Sequence, residues 1–242
     1  MFAILKKELS SFFASLTGYI VILVFLIITG LILWVIPGPY NIVNYGYANI
    51  DGLFDIAPYV FLFLIPAITM RSFAEEKRSG TFELISTKPI SSLQIVLGKY
   101  FADCIIVLLS LLPTIIFYIT VYKLGAPIGN IDSGAVWGSY AGLLLLGMSF
   151  AAIGVFCSSL TDNQIVSFVI AALICAFLYI GFEAIYSMRI FGDASLFIKS
   201  LGMQAHFMSI SRGVIDTRDI IYYLSVIFIF LMFTKFSIER RR

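Results

Sequence analysis

The sequence RSFAEEKRSGTFELISTKPIS, from Arg71 to Ser91, decides how the rest of the chain is arranged. It is the longest polar interruption in the first half of the chain and lies between two long apolar runs. Gly80 breaks the local pattern, and Pro89 must end any helix that follows. We therefore predict a short helix from Phe82 to Thr87, capped by Thr81, within a tight polar turn.

The runs on either side predict a protein of the membrane. Sixty per cent of the residues are hydrophobic and 12% are charged, which excludes an ordinary soluble domain. Thr17 to Ile36 is a run of 20 residues without a charge, long enough as a helix to cross a hydrocarbon core of about 30 Å. Comparable runs follow at about Phe54 to Met70, Phe101 to Val121, Ala135 to Ser158, Gln164 to Tyr186 and Ile220 to Phe236. The fold class is therefore an all-α integral membrane protein with six transmembrane helices. A hydroxyl at Ser91 followed three residues later by Gln94 is a capping-box pattern, which predicts that the helix of the third run starts there.

The first 16 residues are predicted to form an amphipathic helix at the membrane interface rather than the beginning of the first span. Six apolar side chains share one helical face, namely Phe2, Leu5, Leu9, Phe12, Phe13 and Leu16. Lys6, Lys7, Glu8, Ser10 and Ser11 lie off that face. We divide the chain into an interfacial helix at 1–16 and a six-span transmembrane domain at 17–242.

The basic residues predict the orientation in the membrane. If the amino terminus is inside, the inner segments hold 11 of the 16 Lys and Arg residues and the outer segments hold 5. This bias predicts that both termini and the turn at 71–91 are cytoplasmic, in a multi-pass protein of the cell's inner membrane. The loop at 187–219 is then outside, and its recurrent apolar residues suggest short helices resting on the outer leaflet.

The charged residues within the runs predict no catalytic site. Lys99 and Asp103, four residues apart on one face, are interpreted as an ion pair near the inner surface. His206 is the only histidine, and a lone histidine in an outer loop is more often a surface group than a metal ligand. We expect no catalytic or metal-binding residue and no nucleic-acid partner.

The chain also lacks a phosphate-binding loop. Gly98 and Lys99 are followed by Tyr100 where Ser or Thr is needed, and Leu93 stands where the first glycine is needed. We expect no cofactor in this chain, so that any ATP that drives it is bound by another subunit.

Small residues recur at spacings of four in the fourth run. Gly134, Gly138 and Gly142 are followed by Gly147, Ala151 and Gly154. Such a stripe lets two helices approach closely. The sequence leaves open whether the stripe packs within the chain or against a second subunit.

Together these features resemble the permease subunits of ABC-2 exporters. The resemblance is carried in the turn by Glu76, Gly80, Thr81, Glu83, Leu84, Thr87, Pro89 and Ile90. LGKY at Leu97–Tyr100 resembles the family's start of the third span. HFMSISRGVIDTRDIIYY at His206–Tyr223, with Arg212, Gly213 and Asp216, is similar to the family's segment ahead of the last span. The stretch from Ala57 to Ser91 looks like that of the gliding-motility-associated ABC permease of gliding bacteria.

The resemblance implies roles for both cytoplasmic helices. The interfacial helix would be the family's connecting helix, and Phe82 to Thr87 would be the coupling helix that sits in a groove of a separate ABC ATPase subunit. The implied ATPase-contacting residues are Glu76, Arg78, Gly80, Thr81, Phe82, Glu83, Ile85, Lys88 and Pro89. The implied assembly includes a second permease, as a homodimer or a heterodimer, and membrane lipid.

Two other functions are compatible with a six-span chain. A secondary transporter that works alone would need charges at the midplane or broken helices with internal symmetry, and the sequence shows neither. A structural component of a motility or secretion machine, without transport of its own, would be indifferent to loss of the turn. The sequence does not name the cargo.

Overall fold

The computed structural model describes residues 1–86, 90–188, 195–214 and 216–240, with the side chains of all but residues 17, 45 and 84–86. This described part is built from helices and contains no strand. Six helical stretches are long and apolar enough to cross a membrane, namely Gly18–Val35, Asp51–Arg78, Ser92–Leu124, Ser133–Leu160, Gln164–Ser187 and Thr217–Glu239. The prediction of an all-α protein with six transmembrane helices is confirmed.

The helices follow one another with short connections. In chain order they are α1 (Phe2–Ala14), α2 (Leu16–Gly30), α3 (Ile42–Tyr45), α4 (Asp51–Thr69), α5 (Arg71–Arg78), α6 (Thr81–Ser86), α7 (Ser92–Leu111), α8 (Ile115–Leu124), α9 (Ser133–Leu160), α10 (Gln164–Ala176), α11 (Phe182–Ser187), α12 (Ser195–Ser200), α13 (Met203–Ile210) and α14 (Thr217–Glu239). π-helical turns at Leu31–Val35 and Phe177–Gly181 extend α2 and α10, and a 3-10 turn at Leu112–Thr114 joins α7 to α8. Pro113 lies in that 3-10 turn, which accounts for the break because proline cannot donate a helical hydrogen bond.

The amino-terminal helix is separate from the first span. Ser15 has an extended backbone (φ −97°, ψ 140°), so the chain turns sharply between α1 and α2. One face of α1 packs along α7, whereas Phe2 and Leu16, at the two ends of the predicted apolar face, are 79% and 76% exposed. Glu8, predicted to lie off the apolar face, instead points toward α7. Its spacing of three and four residues from Leu5 and Phe12 places all three on the side of α1 that meets the bundle.

The fourth span, α9, is the centre of the bundle. It packs against α4, α7, α10, α13 and α14, and its glycines from Gly138 to Gly154 lie where α4, α7 and α13 approach. A side chain at Gly138 or Gly142 would meet α13, and one at Gly147 or Gly154 would meet α7 and α4. From Gly138 to Gly154 the stripe therefore packs within the chain, whereas Gly134 is exposed.

Replacement of Gly154 by Ala is expected to destabilise the bundle. An added Cβ would lie 1.9 Å from Thr69 Oγ1 and 2.7 Å from Thr69 Cβ, so α4 and α9 must separate. Overpacking of this kind costs about 1–3 kcal/mol. Thermal unfolding in detergent would measure the loss. Gly30→Ala is the matched control, because its Cβ would meet nothing closer than 3.8 Å and alanine is the better helix former by about 0.5–1 kcal/mol. Equal melting temperatures for Gly154→Ala and the unaltered protein would contradict the close contact.

The loop before the last span folds back into the protein. The sequence predicts helices that rest on the outer leaflet, but Met203, Phe207 and Ile210 of α13 are buried against α9 and α14. The absence of side chains at Gly138 and Gly142 makes room for α13 in this position. Arg189 and Asp193 of this loop, and the final Arg241 and Arg242, lie outside the described residues.

Candidate functional site: a junction at the end that carries both termini

The amino-terminal helix and the end of the last span meet the polar turn at one end of the bundle. An apolar cluster there joins α5, α6, α7, α9 and α14 and consists of Phe73, Phe82, Ile95, Val96, Val155 and Ile238, with Ile4 of α1 packed against it. We call this end, formed by α1, α5, α6 and the adjoining ends of α7, α9 and α14, the junction. Six elements thus meet around the turn, and three of them, α1, α9 and α14, are distant from it in sequence.

A serine of α9 sets the break between α4 and α5. Ser158 Oγ accepts hydrogen bonds from the backbone N–H groups of Phe73 (2.9 Å) and Ala74 (3.0 Å) and donates to the carbonyl of Met70 (3.0 Å). In an uninterrupted helix those two N–H groups would bond to the carbonyls of Thr69 and Met70. Ser158 therefore supplies a side-chain acceptor and a donor where the helix is interrupted, and it joins α9 to the start of α5.

The turn after α5 is closed by its own backbone. The N–H groups of Ser79 and Gly80 bond to the carbonyls of Glu75 (3.0 Å) and Lys77 (3.2 Å). Gly80 has φ of +69°, a conformation that glycine adopts without strain, and α6 begins at the next residue. Thr81 is thus the first residue of α6 rather than its cap, and its hydroxyl donates to the carbonyl of Glu76 (3.3 Å). The turn can be short because these hydrogen bonds satisfy the last carbonyl groups of α5 within the turn itself.

The next helix begins as the sequence predicts. Ser91 Oγ accepts a hydrogen bond from the N–H of Gln94 (3.3 Å), which confirms the cap at the start of α7. Thr87, Lys88 and Pro89, which connect the two helices, lie outside the described residues.

A buried lysine joins α7 to the turn and to the amino-terminal helix. Lys99 is 1% exposed, and its Nζ lies 2.8 Å from Glu8 Oε1 and 2.9 Å from Glu76 Oε2. It also donates to the carbonyl of Ser72 and lies 5.0 Å from the centroid of the Phe73 ring. A buried ammonium is tolerated when it is paired and hydrogen-bonded in this way.

A second lysine completes the cluster. Lys7 Nζ donates to Glu76 Oε1 and lies 3.4 Å from Glu8 Oε1, so two cations and two carboxylates balance. Burial lowers the pKa of Lys7, but the hydrogen bond from its ammonium to Glu76 and the nearby negative charges raise it, and the result lies above the usual value. Lys7 is therefore positively charged at neutral pH. We call Lys7, Glu8, Glu76 and Lys99 the charge cluster.

The predicted ion pair between Lys99 and Asp103 is wrong. Asp103 is buried, and its Oδ2 accepts a hydrogen bond from the hydroxyl of Ser72 (3.0 Å). Lys99 turns instead toward two carboxylates supplied by α1 and α5, which a comparison within one helix could not reveal. The sequence does hold a signal for one partner of Lys99. Glu8 is three residues from Leu5 and four from Phe12, a spacing that places it on the side of α1 that faces the bundle.

The structure divides the predicted contact residues into two groups. Arg78, Gly80, Thr81 and Glu83 are exposed. Glu76 and Phe82 face inward: Glu76 belongs to the charge cluster, and Phe82, 8% exposed, packs against the Phe73 ring. The side chain of Ile85, and all of Lys88 and Pro89, lie outside the described part of the turn.

A lysine of α5 adds a direct connection to α9. Lys77 Nζ donates to the carbonyl of Ser159, and the hydroxyl of Ser237 on α14 donates to the same oxygen (3.1 Å). The end of α9 is thus held to α5 and to the end of the last span at one atom. No pattern in the sequence indicates this contact, because neither serine stands in a motif.

His206, the single histidine, joins helices at the end of the bundle opposite the junction. Its Nδ1 lies 2.6 Å from Asp219 Oδ1, its Nε2 lies 2.8 Å from the carbonyl oxygen of Ser200, and its ring stacks on Tyr222 with centroids 3.9 Å apart. His206 therefore fastens α12 and α13 to α14. Among the described residues, no group of His, Cys, Asp and Glu side chains could hold a metal ion.

The sequence was compared with models of known protein families, and one of them matches most of the chain. Residues 37–234 match the model of a family described as ABC-2 family transporter protein. The match begins after the first span, includes the whole described part of the turn, and covers well over half of the chain. A search of the curated proteins found no match.

Proposed function

We propose, because this chain belongs to the ABC-2 family of transporters, that it is the permease subunit of an ATP-driven exporter whose ATP is hydrolysed by a separate subunit. The observation that carries the proposal is the junction, where an exposed turn is fastened to four other elements, α1, α7, α9 and α14. The absence of a phosphate-binding loop in the sequence also supports a separate ATPase.

The exposed face of the turn is the proposed contact surface. Arg78 and Glu83 present charges of both signs to solvent, with the exposed Thr81 between them, on a segment that Gly80 folds back sharply. Charges of both signs can fix the orientation of a partner through electrostatic complementarity. The buried Glu76 and Phe82 act behind this surface: they hold the turn to the bundle.

Those buried contacts allow displacement of the turn to move several spans together. Phe82 carries motion of α6 to α5, Glu76 carries it to α7 and α1, and Lys77 carries it to α9. Well-packed interiors deform little, so a shift at the turn is transmitted as a displacement of whole helix ends. ATP-driven closure of the partner would in this way switch the permease between inward-open and outward-open states.

The proposal also specifies how the protein is oriented in the membrane and with what it assembles. The junction faces the cytoplasm, where ATP is found, and the excess of Lys and Arg in the segments at this end supports that orientation in the inner membrane. The permease pairs with a second copy or a homologous permease. The resemblance of Ala57 to Ser91 supports a role in a gliding-motility system, and deletion of the chain from a gliding bacterium that carries it is the direct test.

Charge reversal on the exposed turn is expected to release the ATPase. The double substitution Arg78→Glu with Glu83→Arg keeps the net charge and changes no buried side chain. We expect co-purified ATPase, and ATP hydrolysis by the preparation, to fall by about tenfold or more, equivalent to about 1.4 kcal/mol of binding. Affinity purification in mild detergent followed by mass spectrometry measures the first quantity.

A matched control stands at the opposite end. Lys123 is also exposed, and Lys123→Glu should leave the ATPase bound. Phe82→Asp is unsuitable as the test, since it would bury a carboxylate and damage the junction itself. The absence of any ATPase from the unaltered preparation would refute the exporter proposal and favour a structural role in a motility or secretion machine.

A further inference from the structure

Two cavities adjoin at the junction. The first, of about 490 Å³, lies between α1, α2, α5 and α7 and has the charge cluster in its wall. The second, of about 550 Å³, runs along α2, α4 and α10, and its wall is apolar. Ile20, Val21 and Ala67 line both, so the two spaces form one groove with a charged end and an apolar length.

The apolar length matches one leaflet of a bilayer. From Ile20 to Ile28 the groove follows α2 for eight residues, about 12 Å at 1.5 Å per residue. Half of a hydrocarbon core of about 30 Å is about 15 Å. Tyr59 and Phe63 on its wall are 47% and 65% exposed on the surface of the bundle, which leaves the groove accessible from the side. A hydrocarbon chain could therefore enter from the membrane without crossing a polar barrier.

The charged end favours a headgroup that carries an amine. Its wall holds three cations and four carboxylates, contributed by Lys7, Arg71, Lys99, Glu8, Glu75, Glu76 and Asp103. Lys7 and Lys99 are already paired with Glu8 and Glu76. Glu75 is exposed and is within ion-pair distance of no described cation. This exposed carboxylate disfavours a purely anionic head, whereas an ammonium beside Glu75 complements the wall.

We propose that this groove binds one phospholipid with an amine headgroup from the leaflet on the junction side. The head occupies the charged cavity, and one acyl chain lies along α2 and α4. Ser79 and Thr81 also line the charged cavity, so a bound head touches the turn. Binding does not require an ATPase, and the inference can therefore be tested, and can fail, independently of the proposed coupling.

The test uses the full chain in detergent with phosphatidylethanolamine that carries a photoactivatable diazirine in its acyl chain. We expect adducts concentrated in residues 20–28 and 59–67, displaced better by unlabelled phosphatidylethanolamine than by phosphatidylglycerol. Ala67→Phe fills the place where the cavities meet and should lower adduct yield about tenfold. If Ala67→Phe does not fold, Val24→Phe is a second variant that fills the groove. Val24 lies in the apolar wall, farther from the charged end, and is 43% exposed. Glu75→Gln should remove the preference between the two lipids.

Ala184→Phe is the matched control, since Ala184 is exposed on α11 and lines neither cavity. Its adduct yield should equal that of the unaltered protein. Adducts spread evenly over all lipid-facing spans, or a yield unchanged in both filling variants, would overturn the proposal. Disulfide-linked dimers of Val24→Cys in place of lipid adducts would overturn it as well, because a second copy of the chain would then occupy the groove.

Discussion

Lys99→Met is expected to cause the largest loss of stability of any single substitution considered for this protein. The substitution removes the ammonium that neutralises Glu8 and Glu76, and it leaves the carbonyl of Ser72 without that donor. Breaking a buried ion pair by removing one partner costs about 3–5 kcal/mol, because the remaining charge is uncompensated. Thermal unfolding of the purified protein in detergent should show a correspondingly lower midpoint. Binding of the proposed ATPase partner should fall at the same time, since α5 then loses the lysine that joins it to α7.

The balance of charges in the cluster provides a rescue. In the double variant Lys99→Met with Glu76→Gln, Lys7 and Glu8 remain as one cation and one carboxylate, so most of the lost stability should return. Lys6→Met serves as the control. Lys6 is the residue before Lys7 on α1 and is exposed, so the same change there removes a lysine that lies outside the charge cluster. A midpoint for Lys99→Met within experimental error of that for Lys6→Met would show that the cluster does not hold the junction.

Ser158→Ala is expected to have the second largest effect. The substitution removes the acceptor of two buried N–H groups, those of Phe73 and Ala74, and the donor to Met70. A buried donor left without a partner costs about 1–3 kcal/mol. We expect a loss of about 1–3 kcal/mol if the helices keep their positions, and a smaller loss if α4 and α5 straighten to form the helical bonds.

Hydrogen exchange distinguishes these two responses. Unpaired N–H groups at Phe73 and Ala74 would exchange faster, whereas a straightened helix would keep them protected but move α6 and lower ATPase binding. Ser149→Ala is the matched control on the same helix, because Ser149 is equally buried but donates only to the carbonyl of Leu145 one turn away. Equal stability, exchange and ATPase binding in the two alanine variants would contradict the role assigned to Ser158.

The features that the sequence predicts well are those that depend on neighbouring residues. The spans follow from runs of apolar residues, and the start of α7 follows from a serine followed by Gln94. The turn follows from Gly80, whose positive φ is a local conformational need. The boundary of α6 was displaced by one residue, since Thr81 joins the helix instead of capping it. Each of these results is fixed by backbone geometry or by hydrophobic length.

The direction in which a side chain points at the junction could not be read in the same way. Phe82 and Glu76 stand in a polar segment, where both look like surface residues, yet an apolar pocket and two lysines from other helices draw them inward. The opposite holds for Phe2, which belongs to an apolar face but is exposed. Burial at these positions depends on which helix lies next to them.

The sequence by itself thus determined that this chain has six spans, an amphipathic helix before them and a sharp polar turn after the second, because chain length, hydropathy and turn chemistry act over a few residues. Only the tertiary structure decided how these parts are connected. Lys99 finds its partners 91 residues away at Glu8 and on α5 at Glu76, and Ser158 reaches 85 residues back to Phe73. Electrostatic pairing and hydrogen bonding act on distance in space, and that distance exists only once the helices have packed.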